Sequence, residues 1–120
     1  MKLVELAYFT DDVPSMAEFY QRLLGAAPVA ASDGMAIFAV GDTRIFIHHR
    51  YTPASGELPP LNHIALAVPD VDSACAELAA QGMSIDIPPQ DYYWGRSAYL
   101  HDPDGHLVEL AQAAPASDGA

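Results

Sequence analysis

The chain has 120 residues, 51% of them hydrophobic, and its 5 basic and 16 acidic side chains give a net charge of 5 − 16 = −11. That length suits one compact domain with a real core, and that charge disfavours nucleic acid and anionic membranes as partners while leaving a cationic ligand open. No apolar run is long enough to span a bilayer, Met1-Lys2 leads straight into a strand pattern rather than a secretory signal, and the single Cys75 cannot close an internal disulfide, so a cytoplasmic protein is expected.

Residues 3–10, LVELAYFT, alternate as a strand that Asp11-Asp12-Val13-Pro14 breaks. Ser15-Met16-Ala17-Glu18 has the form of a capping box. Met16, Phe19, Tyr20, Leu23 and Leu24 then recur at helical spacing until Gly25. A short strand near 28–31 precedes two clearer ones, MAIFAV at 35–40 and TRIFIHHR at 43–50, joined at Gly41-Asp42. Residues 51–60, YTPASGELPP, have the composition of a linker. The pattern restarts with LNHIALAV at 61–68. Asp72 is the expected N-cap of a second helix, whose buried face is Val71, Ala74, Cys75 and Leu78, with Cys75 as a small core residue. Gly82 ends it. A strand near 83–87 and a proline-rich loop lead to residues 93–110, YWGRSAYLHDPDGHLVEL, a strand, a tight turn at Asp102-Pro103-Asp104-Gly105 and a final strand. Residues 113–120 are expected to be a disordered tail.

The two halves repeat. Leu3 and Leu61, Ala7 and Ala65, Asp12 and Asp70, and Val13 and Val71 are each 58 residues apart, and Gly25 and Gly82 are 57 apart. Each half reads β-α-β-β-β, so the chain is predicted to be one α+β domain, 1–112, of two modules (about 1–50 and 61–112) that share a core because neither can cover its sheet face alone.

Glu109 is a carboxylate in the middle of an otherwise apolar strand, a costly position unless the group is paired, metal-bound or at the wall of a wet pocket. Strand alternation puts Leu107, Glu109 and Ala111 on one face, and His63, Ala65 and Ala67 likewise, with the bulkier residues opposite, under the helices. The repeat equates His63 with Glu5 and Glu109 with the neighbourhood of Phe46, which cannot bind metal. Glu5, His63 and Glu109 form a candidate ligand set of one imidazole and two carboxylates, suited to Zn²⁺, Ni²⁺, Mn²⁺ or Fe²⁺ with positions left for substrate and water. A metal-free His63–Glu109 hydrogen bond is the structural alternative. Ser97, Tyr99 and His101 alternate onto the face expected for Glu109, with Tyr99 able to bind substrate or act as an acid. Phe46, His48, Trp94 and Arg96 complete the expected pocket, Arg96 either anchoring an anionic substrate or pairing with a nearby acid.

Paired β-α-β-β-β modules, with LNHIALAVPDV opening the second and HDPDGHLVEL closing it, resemble the vicinal oxygen chelate superfamily of glyoxalases, extradiol dioxygenases and bleomycin-resistance proteins. The resemblance covers roughly residues 3–112. It implies a half-open eight-stranded cup, completed in a homodimer in which Glu5 can reach the partner's site. It implies metal-dependent lyase or isomerase chemistry on a small oxygen-chelating substrate, with Glu5 or Glu109 moving a proton. This sequence departs from the pattern in two places: Glu5 stands where metal-using members usually offer His or Gln, and Phe46 where glyoxalase and the family's methylmalonyl-CoA epimerase have Glu. Trp94-Gly95-Arg96 instead resembles the bleomycin-resistance proteins, acidic dimers that sequester a cationic drug without metal or turnover. Both functions remain open at this point.

Overall fold

The computed structural model of the chain describes residues 1–113. Its elements in order are β1 (Lys2–Thr10), α1 (Val13–Leu24), β2 (Ala30–Ser32), β3 (Met35–Val40), β4 (Thr43–His49), β5 (His63–Ala67), α2 (Val71–Ala80), β6 (Ile87–Tyr92), β7 (Gly95–His101) and β8 (Leu107–Ala113). The expected β-α-β-β-β order is therefore present twice, in an α+β fold of eight strands and two helices. The expected tail lies outside the described residues except for Ala113, which closes β8. The chain divides into two compact units, an N-terminal one of Val4–Ile64 and a C-terminal one of Met1–Leu3 with the chain from Ala65 onward. The division runs through β1 and β5.

In the N-terminal unit the strands lie in the order β2-β3-β4-β1. The β2, β3 and β4 strands pair antiparallel, whereas β1 runs parallel to β4. The β1/β4 register sets Glu5 beside Arg44, Ala7 beside Phe46 and Phe9 beside His48. Alternation puts these six side chains on one sheet face and Leu6, Tyr8, Ile45 and Ile47 on the other. The second set packs with Val13, Met16, Ala17, Tyr20 and Leu24 of α1 and with Phe38. Each fully buried aliphatic side chain there contributes on the order of 1.5–3 kcal/mol.

In the C-terminal unit β8 follows β5, then β7 and β6. The β6, β7 and β8 strands pair antiparallel, with Tyr99 opposite Glu109 and Ser97 opposite Ala111. Ala98, Leu100 and Leu110 point the other way, into a core with Val68, Val71 and Cys75. The α2 face expected from periodicity is the one buried, because Ala74 and Leu78 pack against that same core. Burial raises the Cys75 thiol above its usual range, with Asp72 adding to the shift, as expected of an unreactive core cysteine.

Three expectations need correction. The α1 N-cap is Asp12, not Ser15: Asp12 Oδ1 accepts from the Ser15 backbone N–H at 3.1 Å, and its Oδ2 from the Ser15 hydroxyl at 2.8 Å. Pro14 thus falls in the first turn, where its missing N–H costs nothing. The α2 N-cap is Asp70, not Asp72, and accepts from the Ser73 N–H at 3.0 Å. The strand expected near 83–87 is β6, which begins at Ile87 and takes in Pro88 and Pro89. It survives them because it ends the strand order and its register shifts between Ile87 and Gln90, so no ladder bond depends on the prolines.

Candidate metal centre

Glu5 sits mid-strand in β1, its side chain only 15% exposed, and its Oε1 accepts from Arg44 Nε at 2.6 Å. Arg44 is half-exposed. The contact follows directly from the parallel register that puts the two residues side by side. A guanidinium on one carboxylate oxygen fixes the group's orientation.

His63 opens β5, and its Nδ1 lies 2.7 Å from the Leu61 carbonyl. A carbonyl can only accept, so Nδ1 carries the proton and, in the neutral ring, Nε2 carries the lone pair. That is the arrangement in which a histidine is oriented for ligation through Nε2. Within this unit, a Glu5 carboxylate oxygen and a ring nitrogen of His63 lie within 4.8 Å of each other. The two first-strand residues equated by the repeat are therefore brought together.

Phe46 offers no ligand, as its side chain requires, but it belongs to an aromatic wall. Its ring centroid lies 5.6 Å from that of His48, which in turn lies 5.7 Å from Phe9 and 5.9 Å from Tyr51. Phe9 reaches His63 at 6.3 Å. The His48 Nδ1 donates to the His49 carbonyl at 2.7 Å. Tyr51 donates to the Leu58 carbonyl at 2.7 Å, so the expected linker is tied back to this wall. Sequence reasoning missed Phe9, although the alternation Glu5, Ala7, Phe9 signals it. It also missed Tyr51, which lies in a segment with no periodicity to read.

Glu109 lies in the C-terminal unit, 6% exposed. Its Oε2 accepts from the Ser97 hydroxyl at 2.8 Å, and Ser97 Oγ accepts from Trp94 Nε1 at 3.1 Å. Ser97 is fully buried and Tyr99 is 2% exposed. Both share the Glu109 face, as expected, but Ser97 serves Glu109 directly rather than presenting itself to solvent. The Trp94 ring stacks on Tyr92 with centroids 4.5 Å apart and planes 4° off parallel, while Tyr92 meets Tyr99 edge-on at 6.2 Å. Burial raises the Tyr92 phenol above its usual range, and the Glu109 carboxylate adds to the shift.

Of the two roles expected for Arg96, the structure shows pairing with nearby acids. Its Nε and Nη2 donate to the two Asp72 carboxylate oxygens at 2.8 and 3.0 Å, and its Nη1 to Asp91 at 3.0 Å. Asp72 is on α2, so Arg96 points to the helix-covered side, opposite Ser97, Tyr99 and Glu109. These bonds hold the Asp72 carboxyl below its usual range and raise the guanidinium further above its own. His101 is held at the end of β7 by Asp86, Nδ1 to Oδ2, at 2.6 Å.

Comparison with known proteins bears on the whole of this arrangement. A family model described as the Glyoxalase/Bleomycin resistance protein/Dioxygenase superfamily matches residues 2–110. The chain is 30% identical over 118 residues to "Anthracycline biosynthesis protein DnrV" of Streptomyces peucetius, covering 92% of this chain and 42% of that protein. It is 31% identical over 121 residues to "Biphenyl-2,3-diol 1,2-dioxygenase 3" of Rhodococcus globerulus, covering 88% and 61%. The chain thus spans about two fifths to three fifths of the length of these relatives. Among solved structures, methylmalonyl-CoA epimerase from Mycobacterium tuberculosis superposes with a TM-score of 0.73 at 24% identity, over 99% of this chain and 92% of that one. That likeness concerns the fold.

Proposed function

Since the chain belongs to the glyoxalase/bleomycin resistance protein/dioxygenase superfamily, we propose that it is a divalent-metal-dependent enzyme acting on a small substrate with two adjacent oxygens. Glu5, His63 and Glu109 are the proposed ligands. The observation that carries this reading is the state of His63: its Nδ1 proton is committed to the Leu61 carbonyl, and Glu5 lies within 4.8 Å of its ring nitrogen. The donor chemistry fits. One neutral imidazole and two carboxylates suit Zn²⁺, Ni²⁺, Mn²⁺ or Fe²⁺, and three protein ligands leave room for a substrate.

A bound cation of this kind would supply Lewis-acid stabilisation of negative charge developing on a substrate oxygen. The chain's own residues do the rest. Arg44 holds Oε1 of Glu5, so Oε2 is the atom that would ligate or, on leaving the metal, take up a proton. Ser97 holds Oε2 of Glu109 in the same way. Phe9, Phe46, His48 and Tyr51 provide an aromatic wall that excludes water from one side, and Tyr99 stands opposite Glu109 as a further donor. A lyase or isomerase needs only such a proton movement, which is why it is preferred to an oxygenase.

The test is metal content after loading untagged protein with each of the four ions and desalting. Close to one equivalent is expected for the parent and much less for Glu109→Ala. Equal metal in both would remove Glu109 from the site.

One observation favours a second reading. Glu5 already has a counter-ion in Arg44, as a carboxylate in a metal-free pocket would. In that case the acidic chain and the Tyr92–Trp94 stack sequester a cationic, drug-like molecule without turnover. Calorimetric titration with bleomycin-type and other aromatic cations, on protein that takes up no metal, would establish it. We further propose a cytoplasmic homodimer as the working form. Sedimentation equilibrium at micromolar concentration should give twice the chain mass, and a monomer would exclude it.

A further inference from the structure

Ser97 is not itself a proposed ligand, yet it is fully buried in a strand whose neighbours at 98 and 100 are core hydrophobics. An alanine would fill this position more cheaply unless the hydroxyl has a task. Its two hydrogen bonds define that task. The Trp94 indole nitrogen can only donate, so it occupies a lone pair of Ser97 Oγ at 3.1 Å. The Ser97 proton is thereby directed onward, to Glu109 Oε2 at 2.8 Å. The direction of the chain is fixed by its first member: indole N–H to hydroxyl, hydroxyl O–H to carboxylate. Such a chain polarises along its length and matches an ionised carboxylate better than a neutral one.

The indole is itself held. Trp94 closes the two-residue turn between β6 and β7, where Tyr92 pairs with Gly95. It stacks face to face on Tyr92 at 4.5 Å and takes the edge of Tyr93 at 4.8 Å. Tyr93 is 96% exposed and Ser97 fully buried. The sequence Tyr92-Tyr93-Trp94 therefore links an exposed hairpin tip to the buried carboxylate through one serine.

We propose that Ser97 is the positioning residue for Glu109, set by Trp94, and that the Trp94–Ser97–Glu109 chain fixes the orientation in which this carboxylate meets the metal. This rests on the metal-dependent reading above. Partners behind a ligand, when removed, typically lower metal affinity by about 10- to 100-fold. Trp94 is also the chain's only tryptophan, so ligation at Glu109 changes the hydrogen bonding of the one strong fluorophore.

The test is titration of the full chain with Co²⁺ alone, following bound metal by its visible absorption and Trp94 by fluorescence. The parent should bind near one equivalent with a fluorescence change that saturates in step. Ser97→Ala, checked for native circular dichroism, should bind roughly 10- to 100-fold more weakly and lose the fluorescence change even when saturated. A merely structural serine would not uncouple the two signals. Should Ser97→Ala not fold, Trp94→Phe removes the indole donor and keeps the hydroxyl; weakened Co²⁺ binding supports the chain, and unchanged binding overturns it. Parent-like affinity in Ser97→Ala overturns the positioning role and leaves the metal site standing. No Co²⁺ binding by the parent overturns the metal-dependent reading and this inference with it.

Discussion

His101 donates from Nδ1 to Asp86 at 2.6 Å, and that hydrogen bond, with the Asp86 charge behind it, raises the imidazole above its usual range. A group whose folded value is raised stabilises the fold fully below its unfolded value, and the contribution fades as pH climbs through the folded value. The melting temperature of the parent should therefore exceed that of His101→Gln at pH 5.5, with the gap narrowing steadily towards pH 8.5. A constant gap would mean that the pair is not charged. Residue-scale legibility followed the alternation rule. Glu109 stood out as a carboxylate in an apolar strand, and Ser97 and Tyr99 fell on its face. The same rule puts Arg96 on the opposite face, towards α2, where Asp72 and Asp91 take it. That much could have been read from the sequence. Arg44 could not, because its contact with Glu5 spans 39 residues and depends on the β1/β4 register.

Among the elements, the α2 N-terminus shows two neighbouring aspartates with different work. Asp70 caps the helix by accepting from the Ser73 N–H, while Asp72, two residues on in the first turn, holds Arg96. Asp70→Ala should lower stability by about 1 kcal/mol, read as a drop of a few degrees in melting temperature. Asp72→Ala should cost less, because its partner is partly exposed and keeps Asp91. The reverse order in urea unfolding would contradict the assigned cap. Both caps lay earlier than the sequence suggested, Asp12 three residues before Ser15 and Asp70 two before Asp72, since serine and aspartate at nearby positions satisfy the same capping chemistry and only backbone geometry chooses between them. Strand β6 was hidden for a related reason. Pro88-Pro89 reads as a loop unless the strand is known to end the order, and strand order is a long-range property.

For the whole molecule, the repeat at a spacing of 58 residues carried most of the information. It set the strand–helix–strands order of each unit, equated Glu5 with His63, and marked Phe46 as a position without a ligand. No helix among the described residues is long and apolar enough to cross a membrane. The proposal of one domain from two modules requires a single cooperative unfolding transition by calorimetry, and two resolved transitions would refute it. The substrate was not legible, because a fold shared by dioxygenases, epimerases and glyoxalases leaves the choice of chemistry to side chains around the site. The central claim is that Glu5, His63 and Glu109 hold one divalent ion, and X-ray absorption at the edge of bound zinc tests it most directly. The account expects a shell of oxygens with a single imidazole, lost in His63→Ala and kept in His48→Ala. Two imidazoles, or one that survives His63→Ala, would contradict it.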